Sequence, residues 1–126
     1  MKILLDTCTF IWLLTGERPL PARVRGALAS GEVYLSAVCA WEMAIKFAKG
    51  QLRLPQPPDR LVPAARARYG FASLEMDEES ALHVVKLPPL HNDPFDRMLV
   101  SQAIVHGLTI ATSDPAIVQY PARTIW

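Results

Sequence analysis

A parallel α/β domain is the fold this sequence predicts. Short, unbroken apolar runs at Ile3–Leu5, Val33–Leu35 and Leu108–Thr112 suit strands buried on both faces. Between them lie segments with apolar residues at helical spacing, closed by glycine or proline. Strands that alternate with helices build a parallel sheet, here of about five strands flanked by helices, because each crossover returns the chain in the same direction.

The totals agree with one such unit. A chain of 126 residues, 51% hydrophobic and 20% charged, supports a single core and is read as one domain, 1–126. A net charge of +1 argues against holding nucleic acid by bulk electrostatics and leaves local patches open. Cys8 and Cys39 are too few for a disulfide framework and lack zinc spacing; their apolar contexts predict buried, reduced thiols. Lys2 and Asp6 interrupt the apolar start before a secretory leader could form, and Phe10–Leu14 is too short to span a bilayer. The expectation is a soluble cytoplasmic protein with no membrane partner.

Taken in order, Ile3–Leu5 ends at Asp6, which stands at a strand's carboxyl end and at the entry to a helix. That helix carries Phe10, Ile11, Leu13 and Leu14 and closes at Gly16. Pro19 and Pro21 mark a loop, Ala22–Ser30 a short helix, and Val33–Leu35 the second strand. Ser36 then offers an N-cap to a helix over Val38–Lys49, stopped by Gly50. Val38, Trp41, Ile45 and Ala48 read as its inward stripe, with Glu42 beside it and Lys46 four residues on, spaced for an ion pair.

After a proline-rich connection, Leu61, Ala64 and Ala65 suggest a helix whose basic edge is Arg60, Arg66 and Arg68. Phe71–Leu74 is a weaker third strand. Asp77, Glu78 and Glu79 start a helix over Ala81–Val85, where acidic residues favour the positive end of the helix dipole. The stretch His91–Ala103 follows, with Asp93 as N-cap and Pro94 at the first helical position. In that helix, which runs to His106, Asp96 has Leu99, Val100 and Ala103 at i+3, i+4 and i+7. A carboxylate on an apolar stripe is costly unless something compensates it. Leu108–Thr112 is the fourth strand, Ser113-Asp114-Pro115 a further capping signal before Ala116–Gln119, and Arg123–Trp126 a last short strand.

Each of these acids has an ordinary structural role open to it: Asp6, Asp93 and Asp114 as caps, Asp96 as a helix-dipole partner, Glu42 as half of an ion pair. Together they suggest more. In a parallel sheet, Asp6 and Asp114 end strands at one shared edge, and the helix of Glu42 begins at that edge. Like charges packed together must take up protons or bind a cation. Hard ions such as Mg²⁺ or Mn²⁺ take oxygen ligands and keep waters, which suits an acidic cleft without cysteine or paired histidine. Such an ion serves phosphodiester hydrolysis.

The segments Ile-Leu-Leu-Asp-Thr, Ser-Ala-Val-Cys-Ala-Trp-Glu-Met-Ala-Ile-Lys, His-Asn-Asp-Pro-Phe-Asp-Arg-Met-Leu-Val-Ser-Gln-Ala and Leu-Thr-Ile-Ala-Thr-Ser-Asp carry a resemblance that spans nearly the whole chain. In order and spacing the sequence resembles the PIN-domain ribonucleases, most closely the VapC-type toxins of toxin–antitoxin pairs. The resemblance implies a metal-dependent endoribonuclease with an acidic site of Asp6, Glu42, Asp96 and Asp114, and Thr112 as a supporting hydroxyl. Asp93 fits the Asp-Pro-Phe-Asp-Arg pattern as a cap beside the site; since the net charge is near neutral, RNA contacts fall to local cations such as Lys46, Arg97 or the Arg60, Arg66 and Arg68 edge. It further implies Mg²⁺ or Mn²⁺, a homodimer, and a small cognate antitoxin. No member of the acidic pattern is missing.

Other classes fit less well. A receiver-like signalling module would carry a lysine just after a late strand, where Ser113 and Asp114 stand. A haloacid-dehalogenase-type phosphatase would have an aspartate at position 8, which is Cys8. A non-catalytic nucleic-acid-binding module would draw little phosphate affinity from a near-neutral chain.

Overall fold

A computed structural model describes residues 1–126. Five strands, β1 (Lys2–Leu5), β2 (Glu32–Ser36), β3 (Ala72–Leu74), β4 (Thr109–Ala111) and β5 (Thr124–Ile125), form one sheet in the order β3-β2-β1-β4-β5. Every pairing is parallel, with Ile3 opposite both Val33 and Thr109. β1 is central and its Ile3, Leu4 and Leu5 are fully buried, as an unbroken apolar run between two helical layers requires.

Seven helices flank the sheet: α1 (Thr7–Thr15), α2 (Ala22–Ser30), α3 (Ala37–Ala48), α4 (Pro58–Tyr69), α5 (Glu78–His83), α6 (Pro94–His106) and α7 (Pro115–Val118). The chain moves outward from β1 to β2 and β3, then crosses back to place β4 on the other side of β1. That reversal makes the carboxyl ends of β1 and β4 the topological switch point of the sheet, where open α/β sheets bind their ligands. No helix is long and apolar enough to cross a membrane.

Capping follows the local sequence closely. Ser36 accepts from the Val38 N–H, Asp77 from Ser80, Asp93 from Phe95 and Asp96, and Asp114 from Ala116. Gly107, at φ 67°, ends α6 in a left-handed conformation that suits glycine.

Three expected faces differ. The buried side of α3 is Val38, Cys39, Glu42 and Met43, whereas Trp41 is half exposed and Ala48 exposed. Rotating the stripe by one residue carries Glu42 inward, while Trp41 meets Phe95 of α6 edge-on at 5.2 Å. The helix begun at Asp77 tightens after His83 into a 3-10 turn over Val84–Lys86, and Leu82 and Val85 face outward. Cys39 is buried but Cys8 is exposed, because α1 turns Thr7, Phe10 and Ile11 to the core and leaves Cys8 on its other side.

Candidate active site

At the carboxyl end of β1, Asp6 caps α1: its Oδ1 accepts from the Thr9 N–H at 2.8 Å. Its Oδ2 accepts from the Thr112 hydroxyl at 2.5 Å, just past the end of β4. The same Thr112 oxygen accepts from the Asp114 N–H at 3.0 Å, so one hydroxyl joins the two strand ends. Thr9 adds a bond to the Ala111 carbonyl at 3.0 Å. Asp6 and Thr112 are buried, and Asp114 is half-buried. Burial pushes the Asp6 carboxyl above its usual range; the bonds from Thr112 and Thr9 oppose this, and the Asp114 charge adds to it.

Glu42 sits across α1 from this pair. Thr7 donates to its Oε1 at 2.6 Å and Lys46 pairs with its Oε2 at 2.5 Å. The i,i+4 ion pair therefore forms, but one partner is buried and the other sits half in solvent. Because α1 supplies both the Thr9 amide held by Asp6 and the Thr7 hydroxyl held by Glu42, it sets the spacing between the two acids.

Asp96 enters from the first turn of α6. Leu99, Val100 and Ala103 are buried beneath it, as their spacing predicts. The helix is tied to the start of α3 by Gln102, which is fully buried: the Ser36 hydroxyl donates to its Oε1 at 2.7 Å, and its amide donates to the Glu75 carbonyl at 2.8 Å. Burial, opposed by the His91 hydrogen bond and reinforced by the charges of Asp93, Asp114 and Glu42, lifts the Asp96 carboxyl to about 6. The Asp114 charge thus acts on both Asp6 and Asp96, and the Glu42 charge on Asp96; the Cys8 thiol, raised to about 11 chiefly by partial desolvation, also feels Asp6, Glu42 and Asp114.

No three His, Cys, Asp or Glu side chains close tightly enough to form a finished metal cage. The donor set still suits a hard cation. It is all oxygen, it includes two carboxyls raised by burial and like charge, and the His91 bond to Asp96 uses Oδ2, not Oδ1.

Two expected cations are already engaged. Arg97 is no free substrate contact: its guanidinium donates to the Pro88 carbonyl at 2.9 Å, the Val84 carbonyl at 3.3 Å and the Tyr120 hydroxyl at 2.9 Å. Arg66 likewise bonds the Ala72 and Leu35 carbonyls, leaving Arg60 and Arg68 as the exposed members of that basic edge. Partly buried backbone carbonyls attract these forked donors, since an unmet carbonyl costs more than a surface charge gains. Sequence reasoning also missed Thr7, Thr9, His91 and Tyr120. Thr7 and Thr9 flank Cys8 directly after Asp6 and were open to a capping argument; His91 and Tyr120 lie in irregular segments with no periodic signal.

Together, the sheet order and this edge define an α/β domain with carboxylates at its topological switch point. A family profile described as PIN domain matches residues 3–122, and the chain belongs to that family. Among curated proteins no sequence relative matches significantly. Solved structures do. The chain resembles the FitAcB structure from Neisseria gonorrhoeae at 26% identity and a TM-score of 0.66, over 98% of this chain and 96% of that one. The structure of VapBC2 from Rickettsia felis, bound to a DNA fragment from their promoter, matches at 12% identity and a TM-score of 0.74, covering 100% and 99%. DNA-bound VapBC from Salmonella typhimurium matches at 20% identity and 0.70, covering 99% and 97%. At these last two identities the likeness is one of fold.

Proposed function

We propose that this chain is a divalent-metal-dependent endoribonuclease and the toxin of a toxin–antitoxin pair. The observation that carries the reading is that Asp6 and Asp96, from separate elements, are both raised by burial and by the charge of Asp114, with Glu42 adding to Asp96. A fold keeps so costly a cluster when a cation offsets it. Membership of the PIN family and the likeness to toxin–antitoxin assemblies support the same class.

Asp6, Asp96 and Asp114 would hold Mg²⁺ or Mn²⁺, with Glu42 as a further oxygen donor. When bound, such an ion supplies an activated water and offsets charge on the phosphoryl group during in-line displacement. The chain's own residues do the rest. Thr112 orients Asp6 and anchors Asp114 through its backbone. Thr7 holds Glu42 towards the cleft, and Lys46 sets a positive charge at the rim, where a phosphate approaches. Asp93 secures the start of α6 and so the placement of Asp96.

The partners we assign are an RNA substrate, a small antitoxin and a second copy of the chain. An apolar surface on this face favours protein contacts: the exposed Trp41 and Met76 line a groove of about 410 Å³ with Val38, Phe95 and Met98, and Leu82, Val85 and Leu90 are further exposed apolar residues. The cytoplasm, where RNA is met, is the proposed location.

The test uses purified protein, free of antitoxin, and a labelled RNA oligonucleotide. Cleavage is expected with Mg²⁺ or Mn²⁺, and Asp6→Asn or Asp96→Asn should reduce it by roughly a hundredfold or more. Cleavage that persists in excess EDTA overturns the metal mechanism. Growth arrest on expression, absent with Asp96→Asn, checks the toxin role separately.

A further inference from the structure

Beside Asp96 runs a chain of side-chain hydrogen bonds that neither the capping of α6 nor the acidic site requires. Arg97 donates to the Tyr120 hydroxyl oxygen at 2.9 Å. Tyr120 and His91 Nδ1 are 2.6 Å apart, and His91 Nε2 lies 3.2 Å from Asp96 Oδ2. Tyr120 is only 3% exposed, so its hydroxyl has no bulk water to turn to. Donor counting then sets every proton. The guanidinium can only donate, so the phenol oxygen accepts from it and its own O–H goes to His91 Nδ1. An imidazole that accepts at Nδ1 carries its proton on Nε2, and that N–H points at Asp96 Oδ2. The reverse tautomer would leave a buried hydroxyl proton unpaired and set a nitrogen lone pair against a carboxylate.

We propose that His91 is a positioning residue for Asp96, held in its Nε2–H tautomer by Tyr120 and Arg97, so that Asp96 presents Oδ1 to a divalent cation. The inference rests on the acidic site proposed above. Its rigidity comes from the far end. Arg97 is pinned to the Pro88 and Val84 carbonyls, and its guanidinium lies 5.7 Å from the Tyr120 ring centre. His91 packs against the same ring at 5.3 Å. The loop before α6, the start of α6 and the segment after α7 thereby act on one carboxylate. Partners that orient a metal ligand in this way typically change metal affinity about 10–100-fold when removed.

The experiment measures Mn²⁺ affinity of the whole chain by electron paramagnetic resonance, with ¹⁵N spectra of His91 in metal-free protein. We expect the Nε2–H tautomer, and a roughly tenfold or greater loss of Mn²⁺ affinity in His91→Ala. His91→Gln, whose amide N–H can replace Nε2–H, should recover most of that loss. Tyr120→Phe keeps the ring packing and should weaken Mn²⁺ while freeing the tautomer. In an Asp96→Asn background, His91→Ala should have no further effect on Mn²⁺. Two results overturn the relay alone: an Nδ1–H tautomer in the native protein, or loss of Mn²⁺ in Asp96→Asn with unchanged affinity in both His91→Ala and Tyr120→Phe. Unchanged Mn²⁺ affinity in Asp96→Asn overturns the metal site, and the relay with it.

Discussion

Replacing Asp96 by asparagine should stabilise the metal-free protein while abolishing its activity. Burial and neighbouring acids lift this carboxyl from 3.8 to about 6, so at pH 7.5 the fold holds a charge that its surroundings resist. At about 1.36 kcal/mol per pH unit, that is at most about 3 kcal/mol. The side chain is 17% exposed, so partial solvent screening brings the figure to about 1–2 kcal/mol. Asparagine keeps the shape and an oxygen for His91, and removes the charge. For a domain of this size the gain amounts to a rise in Tm of roughly 3–8 °C. The sign depends on pH in a defined way. A folded-state pKa above the unfolded one means that the fold retains a proton between 3.8 and about 6. The parent's stability relative to the variant is therefore greatest below pH 4, falls as pH rises through 6, and levels off above 7. Thermal melts of both proteins in EDTA from pH 4 to 8 read this difference directly. Excess Mg²⁺ at a hundred times Kd should raise the parent by about 2.7 kcal/mol and the variant by much less. A variant that melts below the parent in EDTA at pH 7.5, or a gap that does not change with pH, refutes the reasoning and makes Asp96 a stabilising partner of His91.

Other substitutions separate the site from its frame. Thr112→Val removes the hydroxyl shared by Asp6 and the Asp114 amide, and should cost about 1–3 kcal/mol in urea unfolding together with most of the cleavage. Arg97→Lys cannot reach Pro88, Val84 and Tyr120 at once; an unfolding free energy lower by about 1–3 kcal/mol is expected. Asp77→Asn should leave cleavage unchanged, since Asp77 caps α5 and pairs with His106 far from the carboxylates. Burial pushes the Asp77 carboxyl up, but bonds from His106 and Ser80 outweigh it and hold it below the usual range. Its contribution is thus present above pH 4 and lost as pH falls further, so parent and Asp77→Asn melts should converge in acid.

Much of this architecture was legible in one dimension because the forces that make it are local. An unbroken apolar run such as Ile3–Leu5 can be satisfied only between two covering layers, and Asp93-Pro94 starts a helix through its own side chain and ring. Three acids of the candidate site were legible for the same reason: Asp6 and Asp114 follow strands, Asp96 lies in the first turn of a helix, and a parallel sheet gives all its strands a common edge. Local rules did not extend to which face a helix buries when two are apolar enough. In α3 the stripe through Trp41 and the one through Cys39 differ by a single residue; the second is the one that faces the sheet, its Cys39 thiol on the Leu5 carbonyl of β1, and it carries Glu42 inside. The partners of the long side chains were also beyond local rules. Arg97 could have reached solvent, RNA or backbone, and two partly buried carbonyls and a phenol took it. His91 and Tyr120 are 29 residues apart in the chain, without a pattern to join them. Only the crossover that sets β4 beside β1, and brings the turn after α7 against the loop before α6, puts them in hydrogen-bonding contact and gives Asp96 its surroundings.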